Sequence, residues 1–506
     1  METKKYLYLT YITIIGFLIF RIFYIATTHY NLVQDEAYFW DWSRHPALSY
    51  YDMGPMIAWI IGFFTSFLPL SEFSVRLGAP VFAAMTAVII YILATDITES
   101  RLLGFVVVIL FHLTPAGMGG GVIITYYTPQ IFFMSLTALF LWLLIKRGEA
   151  LWWPFIGLSL GLGLLSHHMF AFFSAEVGLF ILLSKNQRKW LKSPWPYLAL
   201  LIELAAASPI FIWNIANDYV MFKHATGLMS KVSYFDIAST FLKFIGGQAG
   251  IYTPFLFFAV LYGLSISGYR GIRLRDDKHL MLFCLSAPII IFIALLSIGG
   301  RTEANWPVSG FITGVISGIY IVYEKYKNWT PFRRSFIRAS FVFTIFLCIL
   351  VSVIAHYPSL IYSIGINIPA QRDPTNRLYG WDELGRHVSS VLETMPQGSF
   401  VATINYGLNA ELAFYVKGNP QVYEIPVSRR FSQYDFWNDF KNVKGRDAVY
   451  VVGNRTIEES VKALFESVEL AEHLKIYART NNAFIRDFYI YKCYGYKGGS
   501  EVLSSF

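Results

Sequence analysis

The stretch YLYLTYITIIGFLIFRIFYIAT, residues 6–27, decides the fold class. Arg21 is its single charge, and its length matches the roughly 20 apolar residues that carry a helix through a hydrocarbon layer. Lipid offers a backbone no hydrogen-bond partners, so such a segment satisfies its own amides as a helix. Working outward, comparable segments recur, about eleven in all, centred near Ile15, Ala87, Val107, Leu139, Leu160, Leu179, Leu204, Val260, Ile291, Val315 and Phe346. The composition agrees. Apolar residues make up 55% and charged residues 15%, with a mean hydropathy of +0.47, a balance that excludes an ordinary soluble domain. The expected fold class is a polytopic α-helical membrane protein with about eleven transmembrane helices.

Short loops rich in Lys and Arg stay on the cytoplasmic side. With Lys4 and Lys5 inside, Lys146-Arg147, the run 185–192 and the loops 270–278 and 325–338 also fall inside. The first outer loop 29–76, the loop 119–130, the stretch 213–248 and the short loop 299–306 fall outside. An odd number of spans then exports the chain from residue 357 onward. The formal net charge of +8 accordingly belongs to cytoplasmic loops facing anionic lipid, and nucleic acid is not an expected partner. The first segment resembles a signal peptide, yet its end, Ala26-Thr27-Thr28, is a poor cleavage site and further spans follow, so it reads as a retained anchor. Arg21 within it is open to a functional role, to snorkelling or to pairing with another helix. Cys284, Cys348 and Cys493 have no regular spacing and read as packing residues rather than disulfide or metal-binding ones.

From residue 357 charges return, and the β-rich runs SFVATI (399–404), DAVYVV (447–452) and FYIYKC (488–493) alternate with helical stretches. The chain is expected to divide into a transmembrane domain, 1–356, and an extracytoplasmic α/β domain, 357–506, large enough for its own core. Its aromatic run RRFSQYDFW (429–437) suits either stacking on sugar rings or core packing. Asn454-Arg455-Thr456 has the form of a glycosylation acceptor, a motif short enough to arise by chance.

The first outer loop holds VQDEAYFWDWSRH, residues 33–45. The spacing predicts a helix along the membrane surface that ends where His45 precedes Pro46. Asp35, Tyr38, Phe39 and Trp42 then share one face, and Asp41 stands three and four residues before Arg44 and His45, which suits an internal ion pair. A carboxylate among aromatic rings beside a membrane is costly unless it is paired or used. Asp35 there suits a general base, and equally a first-turn charge that complements the helix dipole.

Read in order, DEAYxWxWSxH (35–45), YYDxxP (50–55) and SEFxVRL (71–77) resemble the bacterial GT-C glycosyltransferases related to protein O-mannosyltransferases and lipid A aminoarabinose transferases. SPIFIWN (208–214), GGQ (246–248), EANWP (303–307) and YGWDEL (379–384) carry the likeness over most of the membrane part and into the C-terminal domain. The resemblance implies a bacterial-type inner-membrane transferase that moves a sugar from a polyprenyl-phosphate-linked donor to a glycan, lipid or protein hydroxyl at the outer face. It makes the first outer loop 29–76 catalytic, Asp35 the general base and Glu36 a group that orients the acceptor or a partner side chain. Inversion by one in-line displacement follows.

Such a reaction needs positive charge where the phosphate leaves. Arg44, His45, Arg76, His167, His168 and Arg301 are the outer-face candidates, with Tyr38, Tyr51, Asp52, Gln248, Glu303, Asn305 and Trp306 as further substrate contacts. Arg301 can bind phosphate in a bidentate way or pair with Glu303. Adjacent imidazoles point apart on a helix, so a metal shared by His167 and His168 is not expected; interfacial packing, or contact of one of them with phosphate or metal, suits them better. The chain also departs from its relatives. Where they read YDHPP it has Asp52-Met53-Gly54-Pro55, where they often carry TPD it has Thr128-Pro129-Gln130, and where a serine is often followed by lysine it has Ser166-His167. The cofactor is therefore unknown; a divalent metal is compatible with the sequence and not required by it. A lipid-linked sugar transporter or flippase, or a non-catalytic polyprenyl-phosphate-binding partner, remains an alternative function.

Overall fold

The computed structural model describes residues 2–224, 237–299, 302–363, 365–366, 368–369, 373–427, 429–437, 439–453, 456–478 and 482–498. The chain forms two compact units. The first comprises Met1–Ala26, Met53–Ile57 and Arg76–Val353, and the second Thr27–Asp52, Ala58–Val75 and Ile354–Phe506.

Among the described residues, seven helices are long and apolar enough to cross a membrane: Lys4–Thr27, Glu72–Thr98, Tyr127–Arg147, Pro254–Arg273, Asp277–Ile298, Trp306–Tyr326 and Pro331–His356. Trp195–Ala206 and Ser208–Ala216 form a pair bent by 50°, an eighth crossing if the two act as one. Arg101–Leu113, Trp152–Leu164 and Phe170–Leu183 are apolar but shorter, as is Met56–Phe67, a helix outside the expected set. Each of the eleven expected centres falls in an apolar helix, yet helix length alone does not yield eleven full crossings. Local breaks are the reason. Thr114 ends one helix and caps the next at Pro115, and a proline in the first turn of Ser208–Ala216 lacks the amide that would continue the preceding helix.

The first unit packs through small residues. A Cβ on Gly263 would sit 2.5 Å from the Gly318 Cα, so Pro254–Arg273 and Gly310–Tyr326 meet backbone to backbone. Buried hydroxyls pair between helices, Ser267 with Ser317 at 2.8 Å and Ser286 with Thr313 at 2.6 Å. Glu176 accepts the Ile289 amide at 3.0 Å, near the start of Ala287–Gly299, where a helix cannot satisfy its own N–H groups. Arg21 is turned inward rather than snorkelling. Its Nη1 lies 3.0 Å from His112 Nδ1 and its Nη2 donates to the Gly117 carbonyl at 2.9 Å. The three cysteines are free and buried.

The second unit is mixed α/β. Its strands are β1 (Phe400–Thr403), β2 (Val422–Glu424), β3 (Ala448–Gly453), β4 (Phe465–Tyr477) and β5 (Phe484–Tyr496), in the order β2-β1-β3-β5-β4. The β1 strand runs parallel to β2 and β3, while β5 is antiparallel to both of its neighbours. Ala402, Ile425, Ala448, Tyr450, Phe465 and Tyr496 belong to its core. The helix Gln34–Arg44 belongs to this unit and packs on the helix Tyr406–Tyr415. Trp40 meets Phe414 edge-on at 4.8 Å, and Tyr38 lies 5.0 Å from Tyr406.

Candidate active site

The acidic pair splits at the first turn of Gln34–Arg44. Val33, at the N-cap, has no side-chain oxygen to offer. Glu36 supplies one instead: its Oε2 accepts the Val33 amide at 3.1 Å and its side chain is buried, the second half of a capping box. Asp35 points the other way. It is solvent-accessible, and among the described residues nothing hydrogen-bonds or ion-pairs with its carboxylate.

Water reaches Asp35 from one side while protein atoms crowd the others. That crowding, which sets the local dielectric, pushes its pKa above the ordinary 3.8. The nearby Asp52 charge adds to the rise, and the Arg377 and Arg430 guanidinium groups oppose it. Asp52 is itself held. The Tyr38 hydroxyl donates to its Oδ2 at 3.0 Å and Arg430 Nη2 donates to its Oδ1 at 2.6 Å. Arg430 also lies 5.2 Å over the Tyr406 ring. Burial pushes the Tyr406 phenol up to about 12 and raises Tyr38 as well, so both stay neutral donors at physiological pH.

Residues 429–437 fold around this helix. Gln433 Oε1 accepts the Tyr51 amide at 2.7 Å, the Gln433 amide donates to the Tyr38 hydroxyl at 2.9 Å, and the Tyr434 hydroxyl donates to Asp41 Oδ2 at 2.7 Å. The Asp41–Arg44 pair is present, with Arg44 Nε donating to Asp41 Oδ1 at 2.9 Å. The His45 ring stacks on Trp437 at 4.3 Å. Tyr38, Arg44, His45, Tyr51 and Asp52 thus gather in one unit with Asp35 and Glu36, but Arg44 and His45 are engaged in packing. Neither Arg377 nor Tyr406 stands in a motif that points to the site. Arg430 belongs to the aromatic run 429–437, where the paired Arg429-Arg430 is the only signal of a cationic site.

The remaining described candidates lie in the first unit. Arg76 is buried. His167 stacks between Tyr126 at 4.4 Å and His168 at 4.1 Å, and its Nδ1 accepts the Met169 amide at 3.2 Å. His168 Nδ1 is buried without a hydrogen-bond partner among the described residues. Gln248 Nε2 donates to the Ala304 carbonyl at 2.6 Å, beside the exposed Glu303 and Asn305 and the half-buried Trp306. Arg301 lies outside the described residues, as do Asn454 and Arg455 of the acceptor-like tripeptide. Among the described residues no three His, Cys, Asp or Glu side chains group as metal ligands. At Gly54 a Cβ would come within 2.2 Å of the Leu165 carbonyl oxygen, so backbone crowding explains the glycine there.

Residues 45–213 match the family model for dolichyl-phosphate-mannose-protein mannosyltransferases. The lipid A galacturonosyltransferase RgtD of Rhizobium johnstonii is 25% identical over 317 residues, which cover 62% of this chain and 66% of that protein, just under two thirds of its length. ArnT from Cupriavidus metallidurans, in its structure bound to undecaprenyl phosphate, shares the fold at a TM-score of 0.59 and 13% identity, over 95% of this chain and 97% of that one. Its apo structure matches at 0.58 and 12% identity, over 97% and 98% of the two chains. The chain is a multi-pass membrane protein that is similar to PMT-like GT-C glycosyltransferases over residues 45–213 and shares the fold of ArnT.

Proposed function

We propose that this protein is an integral-membrane glycosyltransferase that moves a sugar from a polyprenyl-phosphate-linked donor to a hydroxyl of an envelope glycan, lipid or protein. The observation that supports it most is Asp35: a carboxylate open to solvent, without a hydrogen-bond partner among the described residues and raised in proton affinity, on a helix fixed by its neighbours. Such a group is available as a general base. It takes the proton of the acceptor hydroxyl as that oxygen attacks the anomeric carbon; the bond from that carbon to the phosphate oxygen breaks, and the phosphate leaves with the electron pair. The sugar inverts. Glu36 acts as a positioning residue, and Tyr38 and Arg430 hold Asp52 beside the base.

In this reading residues 1–356 form the transmembrane domain and 357–506 an extracytoplasmic domain, in a bacterial-type inner membrane with the site on the outer side. The similarity to a lipid A galacturonosyltransferase makes lipid A the first acceptor to test and a uronic acid the first donor sugar. The test is transfer by purified full-length protein and its Asp35→Asn variant, alongside mass spectrometry of envelope lipids and glycans from cells carrying each. Asp35→Asn should lower turnover by about 10²- to 10⁴-fold, the range for loss of a general base, while undecaprenyl phosphate still binds. Wild-type turnover in that variant would remove Asp35 from the chemistry.

A further inference from the structure

Positive charge is gathered beside Asp35 from distant parts of the chain. The Arg377 side comes through a short turn, Pro374–Leu378, opened by Asp373, whose Oδ1 accepts the Thr375 amide at 2.9 Å. The turn is tied to the approach of the acidic helix. The Asn31 amide donates to the Leu378 carbonyl at 3.0 Å, and Asn31 Oδ1 accepts the Trp381 amide at 3.0 Å. Arg377 is exposed, and among the described residues its guanidinium has no hydrogen bond or ion pair. Arg486 lies 4.5 Å over Trp381 and donates to the Asn376 carbonyl, adding a cation on the same side. From the other side Arg430 reaches Asp52. Its side chain is 49% exposed, and its bond to Asp52 uses one of the several N–H groups that a guanidinium offers.

The geometry of inversion decides what these cations face. Attacking and leaving oxygens stand on opposite faces of the sugar ring, and the base sits on the attacking side. Groups gathered round the base are therefore separated from the leaving phosphate by the sugar itself. Resting on the assignment of Asp35 as the base, we infer that Arg377 and Arg430 form an acceptor-side clamp for an anionic group, a phosphate or a carboxylate, carried close to the hydroxyl that receives the sugar. Guanidinium groups suit both anions because their paired N–H donors match two oxygens at once. Such a clamp selects acceptors by charge and holds the hydroxyl against Asp35.

The test is binding of three probes, glucosamine 1-phosphate, galacturonate and galactose, to the full-length protein in nanodiscs, with and without undecaprenyl phosphate. At least one anionic sugar should bind about tenfold or more tightly than galactose, the gain of one charge-assisted contact. Which of the two does so tells phosphate from carboxylate. Arg377→Ala and Arg430→Ala should each erase most of that preference, and the Lys variants should keep part of it. Saturating undecaprenyl phosphate should leave the sugars bound. Equal affinity for all three, a preference untouched by both Ala substitutions, or displacement by undecaprenyl phosphate would each overturn the clamp, the last by giving the arginines to the leaving group. Asp35→Asn separates the two ideas: it tests the base through turnover, while the clamp is read from binding in the same variant, where the anion preference should persist.

Discussion

The proton affinity of Asp35 is a balance among named neighbours, and each can be removed. Crowding by protein atoms and the Asp52 charge raise it, whereas Arg377 and Arg430 lower it. If Asp35 is the base, the acid limb of the kcat/KM profile lies above the ordinary carboxylate range. Asp52→Asn should move that limb to lower pH, and Arg377→Ala should move it to higher pH. A limb unmoved by both would mean that another group titrates. The same raised affinity has a sign for stability: the folded state favours the protonated form, so ionisation at neutral pH costs stability, and Asp35→Asn should melt no lower than wild type in a thermal shift assay. Glu424, buried beside Arg429, follows the same sign. Burial lifts it from 4.5 to about 7, so its stabilising contribution is present at low pH and is lost as pH rises through that window. Glu424→Gln should flatten the stability–pH curve there. Contacts between close residues were legible in the sequence: Asp41 and Arg44 lie three apart and pair. Asp52 and Arg430 lie 378 positions apart, and nothing in either segment names the other.

Among the elements, the acidic helix was legible almost to the residue, because Pro46 stops it and its acids open it. The division of labour inside its acidic pair was not, since a capping carboxylate and a reactive one have the same letters. Their variants should differ. Glu36→Gln keeps an oxygen for the Val33 amide and should retain most activity, whereas Glu36→Ala loses the cap at a cost of about 1 kcal/mol, as for other N-cap losses. Activity in Glu36→Gln as low as in Asp35→Asn would show that the Glu36 charge serves the reaction. The apolar helices were legible by position and not by extent. Hydropathy averages over a window, and it passes across Thr114-Pro115 and Ser208-Pro209, where the backbone breaks. The contact of Gly263 with Gly318 was likewise hidden, because glycine contributes almost nothing to an apolar pattern. Gly318→Val should part those helices and cost about 1–3 kcal/mol, as overpacking does, read as a lower melting temperature in detergent.

At the scale of the whole molecule, the first loop and the distant C-terminal chain fold as one unit. Tyr38, Phe39 and Trp42 are buried, and the rings that meet Tyr38 include Tyr406 and Tyr434. A chain truncated after His356 should therefore expose that aromatic face, lose transfer activity and run as aggregate on size exclusion; a monodisperse, active truncation would show that the loop folds without its partner. Sequence patterning announced both a membrane part and an α/β part, but no pattern along a chain can announce that a loop from one end completes a core at the other. The sheet in this unit has one more consequence. The β2 edge is three residues long, and β4, at the opposite edge, carries Glu466, Glu469, Glu472 and Lys475 with a bulge near Leu470. Short, charged and kinked margins resist pairing with a neighbour's strand. Confinement to a membrane brings copies of one protein into frequent collision, and these margins make a poor template on which a second copy could build.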